Sequence, residues 1–128
     1  KFFKNFRKYH GLPVQDAIFF NQSDLICEMA KKEDFIVMGR CADVVLTNHR
    51  IPHISIFITA SFEQRVRRKQ AAHLLVKLDA RHAKYYFDYT GKKWGDAVNY
   101  DLCINSASYG IEESVELIER MINKYPNS

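Results

Sequence analysis

Short apolar runs alternate along this chain with longer stretches of helical period, and that alternation limits the fold more than any other feature. The runs are Phe35-Ile36-Val37-Met38, Ile54-Ser55-Ile56-Phe57-Ile58 and Leu102-Cys103-Ile104, the last lying within Asp101 to Asn105. The first stops at Gly39, and a run of this length fits a strand buried on both faces of a parallel sheet. Between the runs, Val14 to Lys32 carries Ile18, Leu25, Ile26 and Met29 at helical spacing, which predicts a helix starting after Pro13. Ser61 and Gln64 have capping-box spacing, so a helix is expected to begin near Phe62. A long helix follows from about Ala71 to Tyr89, with Leu74, Leu78, Tyr85 and Tyr89 on one stripe and His73, Lys77, Arg81 and Lys84 on another. Thr90 to Asp96 breaks it as a loop. A last helix puts Ile111, Val115, Ile118 and Ile122 on one face and Glu112, Glu113 and Glu116 in its first turns, where the helix dipole favours acids. Strands alternating with helices predict parallel βαβ units, hence an α/β fold in three α/β/α layers. Three strands are few for a sheet covered on both faces, so a further strand–loop–helix unit is expected upstream of Lys1.

The 128 residues make one domain or a piece of one. No apolar run approaches the ~20 residues of a membrane span. Lys1-Phe2-Phe3-Lys4 is too short and too charged to be a secretory signal. Cys27, Cys41 and Cys103 are odd in number and lack metal-like spacing, which fits buried small side chains in a reducing, cytoplasmic setting with no metal site. The net charge of +4 is unevenly placed. Between Arg65 and Lys93, nine Lys and Arg face only Asp79 and Asp88, a surplus of seven, so the rest of the chain sums to −3. A concentrated positive region on a nearly neutral body points to polyanion binding, of nucleotide phosphates or of nucleic acid.

The chain contains no Walker A loop. Its one Gly-Lys, Gly91-Lys92, is followed by Lys93, and Tyr86 stands where the first glycine would be. A Rossmann fingerprint and a recognisable Ser–His–Asp or Cys–His nucleophile are also absent. The sharpest local signal is Met38-Gly39-Arg40-Cys41-Ala42-Asp43. A glycine directly after a parallel strand allows a tight turn at the carboxyl edge of the sheet, where open α/β folds bind ligands. Arg40 would then offer a planar fork to a phosphate, or simply pair with Asp43. Arg65, Arg67, Arg68 and Lys69 form a second cluster, and the His73, Lys77, Arg81, Lys84 stripe a third. For each, taken alone, a solvated charged face is the default reading. Phosphoryl transfer gives all three a common purpose, because that reaction depends on positioning phosphates and neutralising their charge.

Several stretches resemble the cytidylate kinase-like proteins, which are P-loop nucleoside monophosphate kinases. They are Phe35 to Leu46 (FIVMGRCADVVL), the strand Ile54 to Ile58 with Ser61-x-Glu63-x-Arg65-x-x-Arg68, and Asp79-x-Arg81 running on to Tyr89-Thr90-Gly91-Lys92-Lys93-Trp94-Gly95-Asp96. Asn99 to Asn105 and Gly110-Ile111-Glu112 complete the likeness, which extends from about Ile18 to Ile122. The resemblance implies a partial nucleoside monophosphate kinase domain over residues 1–128, with a helical lid at about 65–93 and a P-loop unit upstream. It implies ATP and Mg²⁺ as cofactors and CMP or dCMP as acceptor. Arg40, with Asp43 and Gln22, would bind the acceptor; Arg65 would lie against the ATP base, and Arg68 and Lys69 near the ATP phosphates. Arg81 would reach the transferring group, with Arg40 as its catalytic companion, and Lys77, Lys84, Lys92 and Lys93 would belong to the lid. Trp94 would pack the lid or stack on a base. Gln70-Ala71 departs from the pattern, since the family usually carries a lid tip with Gly or Arg there. A non-catalytic nucleotide-binding domain and a basic nucleic-acid-binding module, with Tyr85, Tyr86, Phe87, Tyr89 and Trp94 as stacking platforms, are the alternatives. Membrane partners are not expected. Lys1 to His10, basic and aromatic, would be a helix near the acceptor.

Overall fold

The computed structural model describes residues 9, 11–68 and 72–125. The expectations for Lys1 to His10, apart from Tyr9, and for Lys69, Gln70 and Ala71 lie outside them. The chain divides into two compact units, Lys1–His53 and Ile54–Ser128.

In the first unit, helix α1 (Val14–Ala30) starts at the residue after Pro13, whose extended φ/ψ of −51°/143° sets the entry. Helix α2 (Ala42–Asn48) packs on it. Ile26, Ala42 and Leu46 form the buried centre, with Ala30, Phe35, Val37 and Ile51 against it. The apolar stripe expected on α1 is only partly buried: Ile26 is inside, whereas Ile18 and Leu25 are 43% and 48% exposed. The inner face is completed instead by Ala17, Phe19, Asn21, Ser23 and Cys27. The two buried polar residues bond back along their own helix, Asn21 Nδ2 to the Ala17 carbonyl at 2.8 Å and Ser23 Oγ to that of Phe19 at 2.8 Å.

Phe35 to Met38 is not a ladder strand buried on both faces, contrary to the sequence reading. Phe35 and Val37 turn inward onto the cluster, while Ile36 and Met38 are 89% and 84% exposed. No described strand pairs with this segment, so it covers one layer only. Gly39, Arg40 and Cys41 then follow with φ of 72°, 62° and 53°, a left-handed turn closed by Ala42 N donating to the Gly39 carbonyl at 3.2 Å.

In the second unit, strands β1 (Ile56–Thr59) and β2 (Leu102–Asn105) pair in parallel, with Ile56 opposite Leu102 and Thr59 opposite Asn105. Helices α3 (Phe62–Arg68) and α4 (Ala72–Thr90) lie on the connection between them, as a parallel pair requires. The described sheet thus has two strands rather than the three expected, in a mixed α/β arrangement with five α-helices among the described residues. A reciprocal clamp opens the ladder. Asp101 Oδ2 accepts from Ser55 N at 2.8 Å, and the Ser55 carbonyl accepts from Asp101 N at 2.9 Å. Ile104 is the most buried large side chain, at 2% exposure.

Gln64 N donates to Ser61 Oγ at 3.3 Å, the expected cap of α3. The reciprocal half of the capping box is not made, for Gln64 Oε1 is buried without a partner. On α4 the buried side chains are Leu75 and Tyr86, with Leu74 and Leu78 48% and 44% exposed. The stripe assigned to Leu74 and Leu78 is therefore offset from the face that packs. Helix α5 (Ser106–Lys124) is capped by Asn105 Oδ1, which accepts from Ala107 N and Ser108 N, and it kinks at Gly110. Ser106 Oγ donates to the Thr59 carbonyl at 3.2 Å, tying the helix to the end of β1. The expected core face of α5 is largely open, with Ile111, Val115 and Ile122 67%, 48% and 52% exposed and Ser114 buried instead.

Candidate functional site

In the first unit, the left-handed turn lifts Arg40 clear of the cluster. Arg40 is exposed and forms no ion pair with Asp43 or any other described carboxylate, so the simple pairing offered by the sequence is not made. Asp43 sits in the first turn of α2, where its carbonyl accepts from Thr47 Oγ1 at 2.7 Å. Cys41 is buried between Arg40 and α2, and burial, with Asp43 nearby, pushes its thiol up to about 11. On α1, Gln22 Oε1 is buried and unpartnered, as is Asn21 Oδ1 beside it.

In the second unit, Arg65 is not free. Its Nη1 and Nη2 donate to Asp79 Oδ2 and Oδ1 at 2.8 and 2.6 Å, a bidentate pair in which both side chains are 32% exposed. The hydrogen bonds from Arg65 hold the Asp79 carboxyl below its ordinary range, and those to Asp79 raise Arg65 further. This pair pins α3 to α4. Its location was not readable in the sequence, because the partners lie 14 residues apart across a helix break where no periodicity connects them.

The cations around the pair are differently placed. Arg68, Lys77, Arg81, Lys92 and Lys93 are exposed, and their side chains meet no described carboxylate. Lys84 alone is paired, with Asp88 one turn along α4. Lys69 lies outside the described residues.

The loop after α4 is built on aromatic contacts. Trp94 packs edge-on against Phe57 of β1 and His82 of α4, with ring centroids 5.4 Å apart in each case. Tyr100 lies on the same Phe57 at 4.9 Å, and its hydroxyl accepts from Gly95 N at 3.2 Å. Any Cβ at Gly95 would stand 3.2 Å from the Phe57 ring at a φ of 81°, so only glycine fits without strain. Trp94 thus packs the loop onto sheet and helix. No group of three or more His, Cys, Asp or Glu among the described residues could hold a metal ion, and no described helix is long and apolar enough to cross a membrane.

The described residues thus form a mixed α/β protein, with an exposed arginine at a left-handed turn in the first unit and a cation-rich helix pair on a parallel βαβ unit in the second. The model of the cytidylate kinase-like family matches residues 1–108, and the chain belongs to that family. Among solved structures, an uncharacterized protein from Eubacterium ventriosum is similar, with 27% identity and a TM-score of 0.76 over 96% of this chain and 74% of the other. No curated protein matches the chain.

Proposed function

We propose that this chain forms the acceptor and lid portion of a cytoplasmic P-loop nucleoside monophosphate kinase with a three-layer α/β/α core. The enzyme moves the γ-phosphoryl group of ATP to a nucleoside monophosphate, with CMP or dCMP favoured. The observation that carries this reading is the charge imbalance around the Arg65–Asp79 pair. One arginine is matched to a carboxylate, while Arg68 and Arg81 on the same two helices are left with none. Exposed arginines without carboxylates suit a phosphate ligand, whose oxygens the guanidinium fork matches. Family membership supplies the class of reaction.

Arg40 binds the acceptor phosphate, with Asp43 and Gln22 on the acceptor side. Arg68 and Lys69 meet the ATP phosphates, and the face of the Arg65 guanidinium, its edge held by Asp79, lies against the base. Arg81 neutralises charge on the transferring group, where such an arginine contributes about 10³-fold or more. Lys77, Lys84, Lys92 and Lys93 give the lid its positive field, and lid closure excludes water and suppresses ATP hydrolysis. ATP supplies the phosphoryl group. Mg²⁺ is expected with it, yet the described residues do not by themselves make a metal site, and no step here runs through the ion.

The test is ADP formation by the gene product containing this chain, with ATP, Mg²⁺ and a panel of CMP, dCMP, UMP, AMP, GMP and dTMP. The expected result is turnover that depends on one monophosphate and falls about 10³-fold in folded Arg81→Ala. Nucleotide binding with no monophosphate-dependent turnover would replace this reading with a non-catalytic binding domain.

A further inference from the structure

Within these 128 residues, helices α4 and α5 each leave an apolar stripe uncovered, and the two stripes match. On α4, Val76 and Phe87 are 57% and 61% exposed, with Ala80 and Ala83 between them on the same face. On α5, Ile111, Val115 and Ile122 are 67%, 48% and 52% exposed, with Ile118 in the same row.

Each stripe has a charged border. With ~3.6 residues per turn, Lys84 and Lys77 flank the α4 stripe, while Glu119 and Glu112 flank the α5 stripe. In both helices the charged band follows the apolar stripe in the same rotational sense. Parallel packing would therefore leave the two bands on opposite sides of the contact, and antiparallel packing sets them against each other.

The spacings agree with the antiparallel arrangement. Val76 to Phe87 and Ile111 to Ile122 are both eleven residues, and Lys77 to Lys84 and Glu112 to Glu119 are both seven. In that register Val76 meets Ile122 and Phe87 meets Ile111. The small Ala80 and Ala83 oppose the branched Ile118 and Val115, while Lys77 faces Glu119 and Lys84 faces Glu112. Lys84 already pairs with Asp88, but an exposed i,i+4 pair is weak and readily shared. Arg81 is the basic residue of the band farthest from the apolar stripe, so the contact does not require it.

We propose that α4 of one copy packs antiparallel against α5 of a second copy of this chain, apolar stripe on apolar stripe and lysine band on glutamate band. A two-fold dimer makes this contact twice.

Sedimentation of the gene product containing this chain, over a wide concentration range, tests the assignment. Self-association is expected, weakening as salt is raised because the flanking pairs are screened. Lys77→Glu with Lys84→Glu should raise the dissociation constant at least tenfold, and adding Glu112→Lys with Glu119→Lys to that chain should restore most of the loss. Phe87→Ser should weaken association at every salt concentration. All these positions are exposed, and circular dichroism melts identify any variant that fails to fold. A wild type that stays monomeric, or an oligomer indifferent to both the charge reversal and Phe87→Ser, would overturn the proposal.

Discussion

Arg40 and Cys41 hold φ of 62° and 53°, a conformation that costs an L-residue about 1–2 kcal/mol each. The turn places at the surface an arginine that meets no described carboxylate, so strain and exposure coincide at one residue. Arg40→Gly relieves the strain but adds freedom to the unfolded chain, so the expected net gain is about 0.5–1 kcal/mol, read as a rise in Tm. The same substitution should weaken monophosphate binding in a calorimetric titration; a variant that is stabilised and binds unchanged would remove Arg40 from the acceptor site. The neighbouring thiol gives a second prediction. Cys41 is buried and pushed up to about 11, and burial raises Cys27 too, whereas Cys103 is exposed. Since the thiolate is the reactive form, Cys103 should be alkylated first at neutral pH, with the other two following only on unfolding, as peptide mass mapping would show. Gly39 was legible as a turn from its place after an apolar run. The left-handed state of the next two residues was not, because neither Arg nor Cys signals it.

At the scale of elements, boundaries were legible and faces were not. Pro13 and the Ser61 cap act within one turn of where they stand, so α1 and α3 begin close to where the sequence puts them, whereas α5 begins at Ser106 under the Asn105 cap and the expected opening at Gly110 is a kink inside it. Which stripe of a helix packs depends on what lies opposite, and the sequence does not specify that partner: α4 buries Leu75 and Tyr86 rather than Leu74 and Leu78. The contact that sets this helix is Arg65–Asp79, half-exposed and bidentate. Asp79→Asn should destabilise the protein by at most about 1 kcal/mol, the value for a partly solvated pair. The pH dependence has a definite sign. Asp79 is held below its usual value when folded, so its contribution is present in full above the ordinary carboxylate range of about 4 and fades as pH falls through the lowered value. Denaturant melts of wild type and Asp79→Asn should differ by a constant amount near neutrality and converge in acid. A gap that persists in acid would assign the loss to packing rather than to the ion pair.

Across the whole molecule, the sequence announced parallel βαβ organisation, and β1 and β2 pair accordingly. The strand expected at Phe35 to Met38 differs because an apolar run states only that burial suits it and not which backbone it pairs with; among the described residues it pairs with no strand. Charge placement was fully legible, since it needs no folding rule. The surplus of seven between Arg65 and Lys93 sits on a chain of net charge +4, which sets what this surface should prefer. Two helices and a loop offering a few unpaired cations match a compact polyanion better than a long one. ATP or pyrophosphate should therefore raise the Tm at low salt, by an amount that at about 100 times the dissociation constant corresponds to about 2.7 kcal/mol. An uncharged nucleoside should raise it far less. Single-stranded oligonucleotides, competing for the same cations, should be displaced by ATP at modest concentration. Were the chain a nucleic-acid module, affinity would instead grow with oligonucleotide length, fall steeply with salt as many counterions are released, and resist ATP. Competition melts with ATP and a series of oligonucleotide lengths therefore separate a nucleotide site from an extended nucleic-acid track.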